Sequence, residues 1–131
     1  MAATIRIEVG TGELIDKITI LKIKSDRITD AGKLSNIRHE LDALTREREA
    51  NVPQSAELDR LEADLRAVNE ALWVIEDDIR ACEAKKDFGE TFIALARSVY
   101  RENDKRAALK RQINDVTGST IVEEKSYTEF E

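Results

Sequence analysis

The stretch SAELDRLEADLRAVNEALWVIEDDIRACEAKK, residues 55–86, decides how the rest of the chain must fold. Its apolar positions are Leu58, Leu61, Leu65, Val68, Leu72, Ile75, Ile79 and Cys82, alternately three and four residues apart. That is a heptad seam, with every a and d position filled by an apolar residue or the lone cysteine. As one helix the stretch is a rod of roughly 48 Å at 1.5 Å per residue. A rod with a single apolar stripe needs partners along its whole length, so the flanking segments are read as what covers it.

On the C-terminal side a fourth helix is expected over residues 87–117. Asp87 and Glu90 have the spacing of a capping box, and Gly118 is a natural stop. Its apolar face is Phe88, Phe92, Leu95, Val99, Leu109, Ile113 and Val116. With almost no chain between them, helices 3 and 4 should fold back as an antiparallel hairpin. A bend at Asp87 sets Leu65 opposite Leu109, Leu61 opposite Ile113 and Leu58 opposite Val116. Charge agrees: residues 55–86 carry nine acids and five bases, whereas residues 97–111 carry six bases and two acids.

On the N-terminal side Asn51-Val52-Pro53-Gln54 reads as a loop, with Ser55 as the cap of helix 3. Helix 2 is expected over 35–50, capped by Ser35 or Asn36, with Ile37, Leu41 and Leu44 as its stripe. Helix 1 is expected over 12–30, with Glu13 and Asp16 in its first turn, where acids favour the positive end of the helix dipole. Leu14, Ile18, Leu21 and Ile28 share a face that Ile15, Ile20 and Ile23 widen, more than one neighbour would cover. Ala31-Gly32 is the expected stop. The pattern leaves open whether helices 1 and 2 are separate or one bent helix. Residues 4–9 alternate as a strand does, Ile5, Ile7 and Val9 against Thr4, Arg6 and Glu8. The candidate partner for it is the β-prone stretch 120–123, which would make a short two-stranded clasp of the termini. Residues 118–131 are otherwise an acidic extended tail, either folded back through Tyr127 and Phe130 or free.

The 131 residues suit a single domain; 37% are charged, with five glycines and one proline, as long helices require. A net charge of −6 argues against a protein that coats nucleic acid or an anionic membrane. No apolar run approaches the ~18 residues of a membrane span, and no signal peptide is legible, so a cytoplasmic location is expected. Cys82 is the only cysteine and sits on the seam, where a small buried residue is expected rather than a reactive thiol. His39, the only histidine, reads as a surface residue. No metal site, cofactor or catalytic residue is expected.

Halfway along the hairpin the seam of helix 4 is interrupted. Folding about Asp87 brings Glu76 near Arg97, Trp73 near Tyr100 and Arg101, and Asn69 near Asn103 and Arg106, with Asp77 and Lys110 close by. Two readings follow. Polar residues inside a helical seam fix register at some loss of stability. Alternatively, Arg97, Arg101, Arg106 and Lys110 form an anion site with Trp73 and Tyr100 as its wall, since Arg forks suit carboxylate and phosphate. An enzyme of this kind would be a chorismate-mutase-like bundle, an analogy carried only by Leu14-Ile15-Asp16 with Arg27 and Lys33.

Four runs of sequence also carry a resemblance: residues 12–24 (GELIDKITILKIK), 68–73 with Glu76-Asp77, Ala96-Arg-Ser-Val-Tyr100 with residues 103–106, and Glu123-Glu-Lys-Ser-Tyr127. Together they resemble a bacterial family of small, functionally uncharacterised helical proteins. The resemblance implies occurrence alone or beside transferase and helical-repeat domains, some in cell-surface glycan settings, and no activity. The expected architecture is therefore an all-α antiparallel bundle. The expected role is a non-enzymatic interaction or accessory module that self-associates or binds a protein partner, with a small anionic ligand as the alternative.

Overall fold

The structure, a computed structural model, describes residues 3–130; Glu131, the last residue of the expected tail, lies outside the described residues. Four helices follow one another: α1 (Thr11–Arg27), α2 (Ala31–Asn51), α3 (Ala56–Ala84) and α4 (Glu90–Thr117). Among the described residues there is no strand, so residues 4–9 are not one and the two-stranded terminal clasp does not form. The two ends nonetheless come close. Ser119 Oγ accepts from the Thr11 amide at 3.3 Å, and Asn114 Oδ1 accepts from the Gly12 amide at 2.7 Å. The first turn of α1 thus satisfies two of its free N–H groups with side chains at and just past the end of α4, in place of a ladder.

The helix ends show which local signals prevailed. Ser55 caps α3 as expected, accepting from the Leu58 amide at 3.0 Å. Gly118 ends α4 at φ 69°, with the Ser119 amide returning to the Asn114 carbonyl. Three expectations are corrected. The cap of α2 is Asp30, which accepts from the Lys33 amide at 2.9 Å. Ala31-Gly32 therefore opens α2 rather than stopping α1, and the two helices are separate. The capping box at Asp87 is not formed: α4 starts later, after Gly89, and Asp87 Oδ1 accepts from the Gly89 amide as a short turn. The third is the end of helix 3, expected at residue 86: α3 stops at Ala84, and Lys86 takes the left-handed conformation at φ 56°. Its amide returns to Glu83 and that of Asp87 to Cys82, the paired bonds of a Schellman stop.

α3 and α4 pack closely, and α1 packs against α2, α3 and α4. The core is Ile15 with Leu58, Leu61, Leu65 and Ile113, all at most 1% exposed, and Val52, Leu109 and Val116 pack against it. Each such side chain contributes about 1.5–3 kcal/mol by leaving water. α1 is buried on Ile15, Ile18, Leu21 and Ile23, whereas Leu14, Ile20 and Ile28 of the expected face are only half-buried. α2 lies on α1 and is tied to α3 by an Arg48–Glu62 ion pair.

This cover is one-sided. At about 26 Å, α1 is far shorter than α3 at about 44 Å. Every buried residue of α3 up to Asn69 lies in its first half, and beyond it only Cys82 is buried. On α4 the buried residues are Lys110, Ile113 and Asn114, all near its end. Leu72, Ile75, Ile79, Phe92, Leu95 and Val99 stay half-buried, and Phe88 and Ile93 are exposed. Among the described residues, the outer parts of α3 and α4 form a two-helix arm that no third helix buries.

Candidate functional site

A buried polar network sits where α1 crosses α3 and α4. Asp16, 1% exposed, lies on α1 between the core residues Ile15 and Ile18. Arg106 on α4 grips it with both ends of its fork, Nε donating to Oδ1 at 3.0 Å and Nη2 to Oδ2 at 2.5 Å. Asn69 on α3 donates its amide to Asp16 Oδ1 and to Thr19 Oγ1, both at 2.9 Å. Thr19 in turn donates to the Asp16 carbonyl. One helix thus supplies a carboxylate that two others converge upon. Asn69 Oδ1 is buried and has no donor among the described residues.

One turn further along α4, Lys110 Nζ donates to Glu13 at 2.7 Å and to Glu123 at 2.8 Å. Gly12 makes this approach possible: a Cβ there would stand 3.0 Å from the backbone Cα and C of Lys110. The tail then runs back along α4. Arg111 meets Glu124, Phe130 packs edge-on against Tyr100 at 4.9 Å, and the Arg101 guanidinium lies 5.1 Å over the Phe130 ring.

The electrostatics follow from this geometry. Burial raises the Asp16 carboxyl, but the Arg106 and Asn69 hydrogen bonds and the charges of Arg106 and Lys110 outweigh it and hold it below its ordinary value. Burial would lower Lys110, yet its bonds to Glu123 and Glu13 hold it above the usual lysine value. The hydrogen bond to Asp16 raises Arg106, and the bond from Lys110 lowers Glu123. Arg106 and the buried Lys110 therefore both meet the protein's own carboxylates.

The sequence-predicted cluster divides in two. Asn69, Arg106 and Lys110 belong to the buried network, and Asn103 stands beside it, its Oδ1 3.5 Å from Arg106 Nη1. The others do not converge there. Glu76 is exposed and accepts from Arg80 on its own helix, not from Arg97. Asp77 and Arg97 are exposed, and Trp73 is half-buried. Tyr100 and Arg101 face the tail through Phe130. The reason is the reach of α1, which leaves the charged residues of α3 beyond Asn69 in water, where they pair with near neighbours or with solvent. Asp16, Thr19, Glu13, Asn114 and Glu123 were missed as members. For Asp16 a signal existed, since the apolar face of α1 is so wide that this acid falls inside it. Asp16 also lies beyond the first turn, where only Glu13 meets the dipole.

Two clefts border this region. One of about 190 Å³ lies between residues 8–10 and 121–123, with Glu13, Lys110 and Asn114 in its wall. The other, about 770 Å³, lies between Tyr100, Asp104 and the tail from Lys125 to Phe130. Among the described residues no group of His, Cys, Asp or Glu is placed to hold a metal ion. No helix among them is long and apolar enough to cross a membrane.

No curated protein matches the chain, and no solved structure matches it. One family model does, over residues 5–130, so nearly every element described above is spanned by it. By that match the chain belongs to the family of unknown function DUF6165.

Proposed function

We propose that the protein is a non-catalytic interaction module whose docking face is the two-helix arm formed by the outer parts of α3 and α4. The observation that carries this reading is the uncovered apolar seam. Phe88 is 50% and Ile93 54% exposed, Val74 on α3 is exposed as well, and Leu72, Ile75, Ile79, Phe92, Leu95 and Val99 are only half-buried. Apolar side chains clustered in this way mark a surface meant to be covered. The reading takes α3 and α4 as an antiparallel hairpin. Their five-residue connection and the shared core of early α3 and late α4 residues support it.

The occupant that fits is an amphipathic helix of a partner protein with basic flanks, laid along the arm to complete a three-helix layer. Charge argues mildly for the flanks: over residues 72–100 the arm exposes six acids, Glu76, Asp77, Asp78, Glu83, Asp87 and Glu90, against four bases, Arg80, Lys85, Lys86 and Arg97. The buried network favours this reading over the anion site, since an incoming anion would have to displace Asp16 from Arg106 and two glutamates from Lys110.

The test is titration with a synthetic amphipathic Leu/Lys helix, followed by Trp73 fluorescence and by amide shifts. Saturable binding confined to residues 72–100, abolished by Ile93→Glu and kept in Arg97→Ala, supports the arm. Binding elsewhere, or none with this peptide, overturns it. A stabilising shift with a small carboxylate or phosphate, lost in Arg106→Met, would favour the anion site instead.

A further inference from the structure

The N-terminal stretch Thr4-Ile5-Arg6-Ile7-Glu8-Val9 has the composition of a strand, yet it finds no sheet. Residues 3–9 are exposed, with Ile5 at 86% and Ile7 at 76%. Among the described residues no backbone–backbone hydrogen bond involves residues 4–9. Polar backbone with alternating isoleucines in water is a template for strand addition. We infer that this segment pairs, antiparallel and about a two-fold axis at Ile7, with the same segment of a second copy of the chain.

The segment is self-complementary. In a two-fold pair centred on Ile7, residue i stands opposite residue 14 − i of the other copy. Ile7 then meets Ile7, Ile5 meets Val9, and Arg6 meets Glu8, each of the last two pairs occurring twice. All apolar side chains fall on one face and all charges on the other. Neighbouring registers are worse. A slip of one residue sets Ile5 against Glu8 and mixes the faces. A slip of two sets Arg6 against Arg6, or Glu8 against Glu8. Of the registers open to this hexapeptide, only the pairing about Ile7 opposes unlike charges and like faces together.

The surroundings permit it. Residues 121–123, also β-prone and exposed, lie across the 190 Å³ cleft from residues 8–10. These residues stand beside only the end of each strand and no backbone hydrogen bond joins them to it, so the pair is a weak one, as two strands alone are marginal in water. The axis lies at the N-terminal end of α1, away from the two-helix arm, so a dimer of this kind leaves the proposed docking face open. A closed two-fold interface also stops at two copies.

The experiment is sedimentation of the full chain over a concentration series, with charge-swapped variants. Wild type should show a reversible monomer–dimer equilibrium. Arg6→Glu sets acid against acid twice and should weaken the dimer by about tenfold, as should Glu8→Arg. The double variant Arg6→Glu/Glu8→Arg should restore it. As a positional check, Ile7→Cys should cross-link to itself under mild oxidation. Ile5→Cys should cross-link far more slowly, since its two copies stand about 13 Å apart along the pair. Wild type, with Cys82 buried, is the background. A chain that stays monomeric at every concentration overturns the inference, and amide protection of residues 5–9 in such a monomer would assign the segment to residues 120–123 instead. A dimer indifferent to the swaps, or equal cross-linking at positions 5 and 7, also overturns it.

Discussion

Asp16 and Arg106 are an unequal pair, and the inequality is measurable. Asp16 is 1% exposed, whereas the Arg106 side chain keeps 29% of its surface in water. Removing Arg106 strands a buried carboxylate; removing the Asp16 charge leaves a guanidinium that still reaches solvent. Arg106→Met should therefore cost about 3–5 kcal/mol and Asp16→Asn clearly less, read from denaturant midpoints at neutral pH. The pH dependence separates the two further. The folded chain holds Asp16 below its ordinary pKa, so it binds that proton more weakly folded than unfolded. Its stabilisation is full above the ordinary carboxylate range and is lost as pH falls through the depressed value, from about pH 4 downward. In Arg106→Met burial acts on Asp16 without its strongest partner, so the deficit should shrink on acidification; a constant deficit from pH 7 to pH 4 would contradict the pairing. At Gly12 the close approach to Lys110 leaves no room for a Cβ, and Gly12→Ala should lower stability by about 1–3 kcal/mol. At this scale the sequence was half legible. Asn69 and Arg106 were found because both lie on helices related by one short turn. Their common partner was not, since Asp16 lies far off in the chain and only packing brings α1 across.

The elements were more legible than their ends. Four helices follow from the 3.6-residue period of apolar side chains, and each periodic run became a helix within a few residues of its expected bounds. The ends depend on which of several capping groups prevails. Asp30 took the cap of α2 although Ser35 and Asn36 were available, since the chain leaves α1 at Ile28 with ψ 134° and re-enters a helix at once. Lys86 in a left-handed turn is a position where glycine removes steric strain. Lys86→Gly should raise stability by about 1 kcal/mol, and Gly118→Ala, at φ 69°, should lower it by a similar amount. Opposite signs in thermal unfolding would confirm that both turns are read correctly. The alternating residues 4–9 were predicted as a strand and are none in the folded chain, because alternation states which face a residue would take in a sheet but supplies no neighbouring strand.

The molecule as a whole is uneven in its cover, and its local stability should follow. Amides in α3 near Leu58–Leu65 and in α4 near Lys110–Asn114 lie under α1 or in the core, so their exchange should report global unfolding. Those in the arm, beyond Asn69 and before Asn103, should exchange through smaller openings and be markedly less protected. Equal protection along α3 in a monomeric sample would show that the arm is covered by something other than a partner. By itself the sequence determined the helical class, the four helices and the apolar spacing along α3, since these are properties of spacing along a chain whose helical geometry is constant. Only the tertiary structure decided where the cover ends and which charges are buried. Both depend on the length of α1 and on where it crosses α3 and α4. Desolvation then separates Asp16, Asn69 and Arg106, locked together beneath α1, from Glu76, Asp77 and Arg97, which the same periodicity sets nearby and water keeps apart.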